Sequence, residues 1–176
     1  MYKKSDNSNY YLHNFSSIDY AKDSLLFIPG AGMDHRIVKD INLDPSKFNK
    51  TLAIDTPHHG YSTGPKLTSI EQYAKGIETA LDGIDISKFH LCGHSMGGLI
   101  ALRIAFNKKL KFKSINILNA SCPMFVGSAL LDDSRKNLDS AMNMLTTYGV
   151  SKAPKAKASG PMFGTMGSGF YQKKSD

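Results

Sequence analysis

The sequence predicts an α/β protein, a mostly parallel sheet flanked by helices. Three observations carry that expectation. Short apolar runs alternate with segments of helical periodicity, the pattern that sets successive strands side by side in parallel. The runs end in strong breakers, Pro29-Gly30-Ala31-Gly32 after one and Pro57-His58-His59-Gly60 after another. A third run passes through Gly93-His94-Ser95-Met96-Gly97-Gly98 straight into a helix-like segment. With 176 residues, 41% apolar and 21% charged, the chain can bury one core without disulfides or a structural metal.

Tyr10 to Phe15 is aromatic-rich and predicts a strand; Ser24 to Ile28 predicts another, and Thr51 to Ile54 a third that closes at Asp55. Thr68 followed three residues later by Glu71 has the form of a capping box. Ile70, Tyr73, Ile77 and Leu81 then recur at helical spacing. Phe89 to Cys92 reads as a buried strand. The helix that follows, Leu99 to Phe106, is apolar on nearly every side apart from Arg103 and is expected to be packed inside. After the basic connection Lys108 to Lys113, Ser114 to Ala120 predicts a further strand. Ser128 to Tyr148 returns to a helical pattern with Leu130, Leu131, Leu138, Met142 and Leu145 on its apolar face. Beyond Val150 the composition of Lys, Ser, Gly and Met predicts irregular chain. No internal repeat is visible.

The formal charge of +7 invites a nucleic-acid reading, but its distribution argues otherwise. Residues 151–176 hold five lysines against Asp176 alone, leaving 17 basic and 14 acidic residues elsewhere. The excess reads as a solvated tail, and a nucleic-acid arm is the weakest of the functional hypotheses. No apolar run approaches the roughly 18 residues of a spanning helix. Met1-Tyr2-Lys3-Lys4 leads into a polar stretch with no apolar region behind it, so secretion is not expected. Cys92 and Cys122 are too few for a disulfide framework and read as reduced thiols of a cytoplasmic protein.

Gly93-His94-Ser95-Met96-Gly97 matches G-x-S-x-G, and its strand–turn–helix setting is what holds a serine exposed at the C-terminal edge of a sheet. Two further segments stand in the order and spacing of the α/β-hydrolase fold family, and the chain resembles the N-terminal part of that family over most of its length. Leu26-Phe27-Ile28-Pro29-Gly30-Ala31-Gly32-Met33-Asp34-His35 resembles its strand and oxyanion loop, with Pro29-Gly30 where His-Gly is commoner. Asp55-Thr56-Pro57-His58-His59-Gly60-Tyr61-Ser62 resembles its Asp-x-Pro-Gly-His-Gly-x-Ser loop, with His58 at the usual glycine. The resemblance implies an incomplete α/β-hydrolase. Residues 1–121 form the N-terminal part of the core, 122–150 the start of a helical lid, and 151–176 a basic tail. It implies Ser95 as nucleophile and the backbone N–H groups of Met96 and Ala31 as the oxyanion hole. No cofactor and no metal is expected, and the partner is a small acyl or ester substrate, not nucleic acid or membrane.

Other residues have blander readings. His94 is expected to point away from Ser95 as a packed or hydrogen-bonded side chain, and His59 and Asp55 to fix their loop. His58-His59 lacks the carboxylate or cysteine partners of a metal site. Gly164-x-x-Gly167-x-Gly169 follows no strand and reads as a flexible segment.

In this fold the triad runs Ser, then Asp or Glu, then His along the chain. His13, His35, His58, His59, His90 and His94 all precede Ser95, and the later acids Asp132, Asp133, Asp139 and Asp176 follow no core strand. A serine without a base stays protonated and weakly nucleophilic. The expectation is therefore a serine hydrolase for carboxylic esters or related acyl groups, working through a Ser95 acyl-enzyme, in a chain that stops before its catalytic acid and histidine. The alternative is a catalytically inactive hydrolase-like binding module. Serine in place of aspartate at the elbow sets aside dehalogenase and epoxide hydrolase chemistry, while peptidase and C–C hydrolase chemistry stay open.

Overall fold

A computed structural model describes residues 1–5, 7–15, 22–39 and 47–148. The chain divides into two compact units, Met1–Cys122 and Pro123–Asp176.

The first unit is built on one six-stranded sheet. Its strands are β1 (Tyr2–Ser5), β2 (Ser8–Asn14), β3 (Ser24–Ile28), β4 (Thr51–Asp55), β5 (Phe89–His94) and β6 (Ser114–Leu118), in the spatial order β1-β2-β4-β3-β5-β6. β4, β3, β5 and β6 are parallel, and β2 and β1 continue the sheet antiparallel. The central strands β3 and β4 are buried at every residue, as expected where helices cover a parallel sheet.

The strand order reverses at β3. The chain moves from β3 outward to β4, then returns through helix α1 (Ile70–Ala80) to the other side of β3 as β5. Ligands of open α/β sheets bind in the crevice beyond the C-terminal ends of the strands at such a reversal. Here those ends are the Pro29–Asp34 loop and Ser95.

α1 and α2 (Met96–Asn107) cover one face. Ala74, Ile77, Ile100, Ala101 and Ile104 are completely buried against Tyr10, Leu26, Ile28, Ile54 and Leu91 in a single apolar core. α1 starts one residue later than its expected box. Ser69 is the N-cap and accepts from Gln72 N–H at 3.2 Å, and Gln72 reaches back to Thr68 N–H at 2.7 Å. Gln, as well as Glu, serves this motif, so the competing Ser69/Gln72 pair takes the role assigned to Thr68 and Glu71. α2 is not enclosed all round. Leu102 is partly exposed, Phe106 is 72% exposed, and Arg103 stacks over the Phe106 ring while pairing with Glu71.

β6 ends the described sheet, with Ile115 partly exposed. β1 was not expected from its Lys-rich sequence. It is an edge strand paired to β2 in a hairpin, where Lys3 and Lys4 suit the edge.

In the second unit, residues 123–148 form α3 (Ser128–Lys136) and α4 (Leu138–Tyr148) rather than one helix. Asn137 is extended at φ −150°, and its side chain accepts from Ser140 N–H at 3.1 Å, capping a new helix. The tail 151–176 and Gly164-x-x-Gly167-x-Gly169 lie outside the described residues. No helix among the described residues is long and apolar enough to cross a membrane.

Candidate active site

Ser95 is the turn between β5 and α2. Its backbone stands at φ +53°, ψ −120°, a conformation that side-chain-bearing residues avoid and that costs on the order of 1–3 kcal/mol. Neighbouring hydrogen bonds hold it there. Ser95 N–H donates to Leu118 O at 2.9 Å, and Ser95 O accepts from Gly98 N–H at 2.8 Å and Leu99 N–H at 3.3 Å. The flanking glycines leave the room the turn requires. A methyl group on Gly93 would overlap the Gly97 carbonyl, and one on Gly97 would overlap the Ile28 carbonyl oxygen.

The loop after β3 lies against this elbow. A Cβ on Gly30 would come within 3.1 Å of both Ser95 Cβ and His94 Nδ1. Met33 N–H closes a turn on Gly30 O at 3.2 Å, with Gly32 at φ +71°, the value the third residue of a type II turn demands. Ala31 is exposed within this turn, and Met96 is the first residue of α2. Neither the Ala31 nor the Met96 amide is spent on a hydrogen bond among the described residues. The Met96 amide also carries the partial positive charge of a helix start, so an anion beside Ser95 would be favoured there.

The loop after β4 buttresses the first. Asp55, completely buried, accepts from His35 N–H (2.7 Å), the His35 ring Nδ1 (2.8 Å) and Tyr61 N–H (3.1 Å). Ser62 Oγ donates to Asp55 O and accepts from Tyr11 N–H, both at 2.7 Å, tying the loop to β2. His59 lies 3.0 Å from Pro57 O through Nδ1 and accepts Gly32 N–H through Nε2 at 3.1 Å. Burial pushes its pKa below the usual histidine value.

No imidazole nitrogen among the described residues is hydrogen-bonded to Ser95 Oγ. His13 meets Tyr11, His35 meets Asp55, and His59 serves its own loop and Gly32. His94 is half-buried, which lowers its pKa, and its buried Nδ1 has no hydrogen-bond partner among the described residues, so of the packed and hydrogen-bonded alternatives no bond is seen at that atom. A Ser–His–Asp chain does exist, at the opposite end of the sheet. His90 Nδ1 is 2.8 Å from Ser114 Oγ and its Nε2 is 3.4 Å from Asp23 Oδ2, with Lys113 Nζ on both Asp23 oxygens at 2.7–2.8 Å. It fastens the beginnings of β3, β5 and β6 to one another. Sequence reasoning missed it because its three residues come from β5, from β6 and from the residue before β3, far apart in the chain. Asp132, Asp133 and Asp139 lie on α3 and α4, where Asp133 accepts from Ser140 Oγ. Asp176 lies outside the described residues. No cluster of three metal-ligating side chains occurs among the described residues, His58 and His59 included.

A parallel sheet with a strained serine between strand and helix at its topological reversal defines a class, the α/β-hydrolases. The model of the alpha/beta hydrolase fold family matches residues 23–154, well over half of the chain, which therefore belongs to that family. The chain is 28% identical over 102 residues to 3-oxoadipate enol-lactonase 1 of Acinetobacter baylyi, covering 58% of this chain and 38% of that protein. It is 33% identical over 113 residues to the dihydrolipoyllysine-residue acetyltransferase component of the acetoin cleaving system of Cupriavidus necator, covering 61% of this chain and 28% of the relative. Among solved structures, the enol-lactonase from Burkholderia xenovorans aligns with a TM-score of 0.73 at 18% identity, over 94% of this chain and 65% of that one. An esterase from Exiguobacterium antarcticum aligns with a TM-score of 0.72 at 17% identity, over 99% and 74%. At these identities the structural likeness speaks for the fold.

Proposed function

We propose that this chain carries the nucleophile and oxyanion hole of a serine hydrolase for carboxylic esters, lactones among them. The single observation that carries the reading is Ser95 held in a strained turn at the end of β5, with Met96 next to it and the Gly30–Met33 turn against it, the Met96 and Ala31 amides bonded to nothing among the described residues. In this reading Ser95 Oγ attacks the substrate carbonyl carbon and a base takes its proton. The two amides hold the resulting oxyanion, each worth about 10²–10³ in rate. Collapse of the tetrahedral intermediate expels the alkoxide, which receives the proton, and water then releases the acid from the acyl-enzyme. A lactone keeps its alcohol tethered until that second step. The lactone class is supported by the enol-lactonase relative.

The chain spans 38% of that relative's length, and the base and its acid partner are assigned to sequence beyond these residues. α3 and α4 are assigned to the start of a lid. The free thiols Cys92 and Cys122 fit a reducing, cytoplasmic setting. A second reading, a binding module without turnover, is favoured by the absence of any imidazole bonded to Ser95 among the described residues. Reading the coding sequence past Asp176 and assaying its full product on a short-chain p-nitrophenyl ester and a lactone separates the two. In-frame continuation to a strand-borne acid and a later histidine, with turnover lost in Ser95→Ala, supports the hydrolase. A stop after Asp176 and no turnover favours the module.

A further inference from the structure

We infer that His59 is a positioning residue that, in its neutral Nδ1–H form, fastens the oxyanion loop through Gly32, so that protonating His59 releases the loop beside Ser95. The inference rests on the reading of Ser95 and the Ala31 amide given above.

The tautomer follows from the partners. Pro57 O, 3.0 Å from Nδ1, can only accept, so Nδ1 carries the hydrogen. Gly32 N–H, 3.1 Å from Nε2, can only donate, so Nε2 presents its lone pair. Thr56 Oγ1 lies 3.0 Å from Nδ1 and completes that side. A ring proton added at Nε2 would face the Gly32 proton, leaving two donors and no acceptor. Gly32 adjoins Ala31 in a turn whose Gly30 rests against Ser95, so loss of that bond loosens the segment that offers the Ala31 amide.

The charged groups around the ring are Asp55 from the end of β4, Asp34 from the oxyanion loop and His58 beside it. Asp34 is already paired with Arg36, and Asp55 with His35. Burial outweighs their attraction for a proton and lowers the pKa of His59. The folded state therefore disfavours the proton. The bond is intact above the ordinary histidine pKa and is lost as pH falls through the lower folded value. Phe, Leu or Val at position 59 would fill space but could not accept from Gly32.

The test on the 176-residue chain is nitrogen NMR of ¹⁵N-labelled protein. At pH 7.5 a scalar coupling should connect Gly32 N with His59 Nε2, and the Gly32 amide shift should titrate with the His59 ring, at a midpoint below 6.5. In His59→Gln the Gly32 shift should no longer titrate. A missing coupling, a hydrogen on Nε2, or a Gly32 amide indifferent to the ring's titration overturns the lock. The consequence for the hole is read separately, from fluorophosphonate acylation of Ser95 in the full product. The ratio of wild-type to His59→Gln rates should fall about 10- to 100-fold as pH drops through the NMR midpoint, a ratio that cancels titration of any other base. A flat ratio with the coupling intact overturns the positioning role. Failure of Ser95 to acylate in any form at any pH, with the coupling intact, instead overturns the reading of Ser95.

Discussion

Gly97, in the first turn of α2, packs backbone to backbone on Ile28 at the end of β3, so closely that a methyl group there would overlap the Ile28 carbonyl oxygen and lie 2.5 Å from Pro29 O. That contact sets how near the helix start, and with it the Met96 amide, approaches the Pro29–Asp34 loop.

Gly97→Ala should therefore cost stability without removing any interacting group. Overpacking of this kind costs about 1–3 kcal/mol, and the obstructing atoms here are backbone, which cannot turn aside as a side chain would. Urea unfolding should show the midpoint displaced by that amount. Gly127→Ala meets open space, so it should lose only the small preference for glycine at the N-cap of α3 and move the midpoint less than Gly97→Ala.

The strain at Ser95 has a signature of its own. Glycine tolerates φ +53°, so Ser95→Gly should relieve strain worth about 1–3 kcal/mol while adding about 0.5–1 kcal/mol of chain entropy to lose on folding. A net gain of about 1 kcal/mol is expected by thermal or urea unfolding. Ser95→Ala keeps the Cβ and the strain, and should fall within about 0.5 kcal/mol of wild type.

Asp55 should be the most sensitive polar position. It is buried with three hydrogen bonds converging on it, and Asp55→Ala leaves the His35 ring and two amides without an acceptor. A loss of about 3–5 kcal/mol is expected. Asp55→Asn keeps one acceptor oxygen and should lose measurably less, by the same unfolding assay.

The two cysteines should separate cleanly. Burial lifts the Cys92 thiol from 9.0 to about 11, whereas Cys122 is exposed. At pH 8 about one Cys92 in a thousand is thiolate, the reactive form. A disulfide reagent should titrate one thiol rapidly in the native chain and the second only on unfolding. Because the folded pKa is raised, the stability contributed by the protonated thiol is complete below about 9 and lost as pH rises towards 11.

The parallel strands were legible because burial on both faces leaves continuous apolar runs. Ser24–Ile28 was delimited to the residue, since Asp23 and Pro29 bound it sharply. Gly93 through Gly98 marked the elbow because the turn tolerates few residue types. Elements that depend on partners were less visible. Tyr2–Ser5 is a strand only because Tyr10 and Tyr11 and their neighbours lie opposite, and the break at Asn137 depends on a cap competing with helical periodicity. The contacts of His59 with Gly32 and of His90 with Ser114 and Asp23 join segments far apart in the chain, and no local pattern announces them.

If Ser95 is, as proposed, a nucleophile prepared by its turn, it should take up a covalent label. The full coding product is treated with a fluorophosphonate probe and the modified residue located by peptide mass spectrometry. One phosphonylated site is expected, Ser95, lost in Ser95→Ala while Ser114→Ala labels as wild type. Modification at Ser114 or elsewhere with Ser95 untouched, or undiminished labelling and ester turnover in Ser95→Ala, would contradict the proposal.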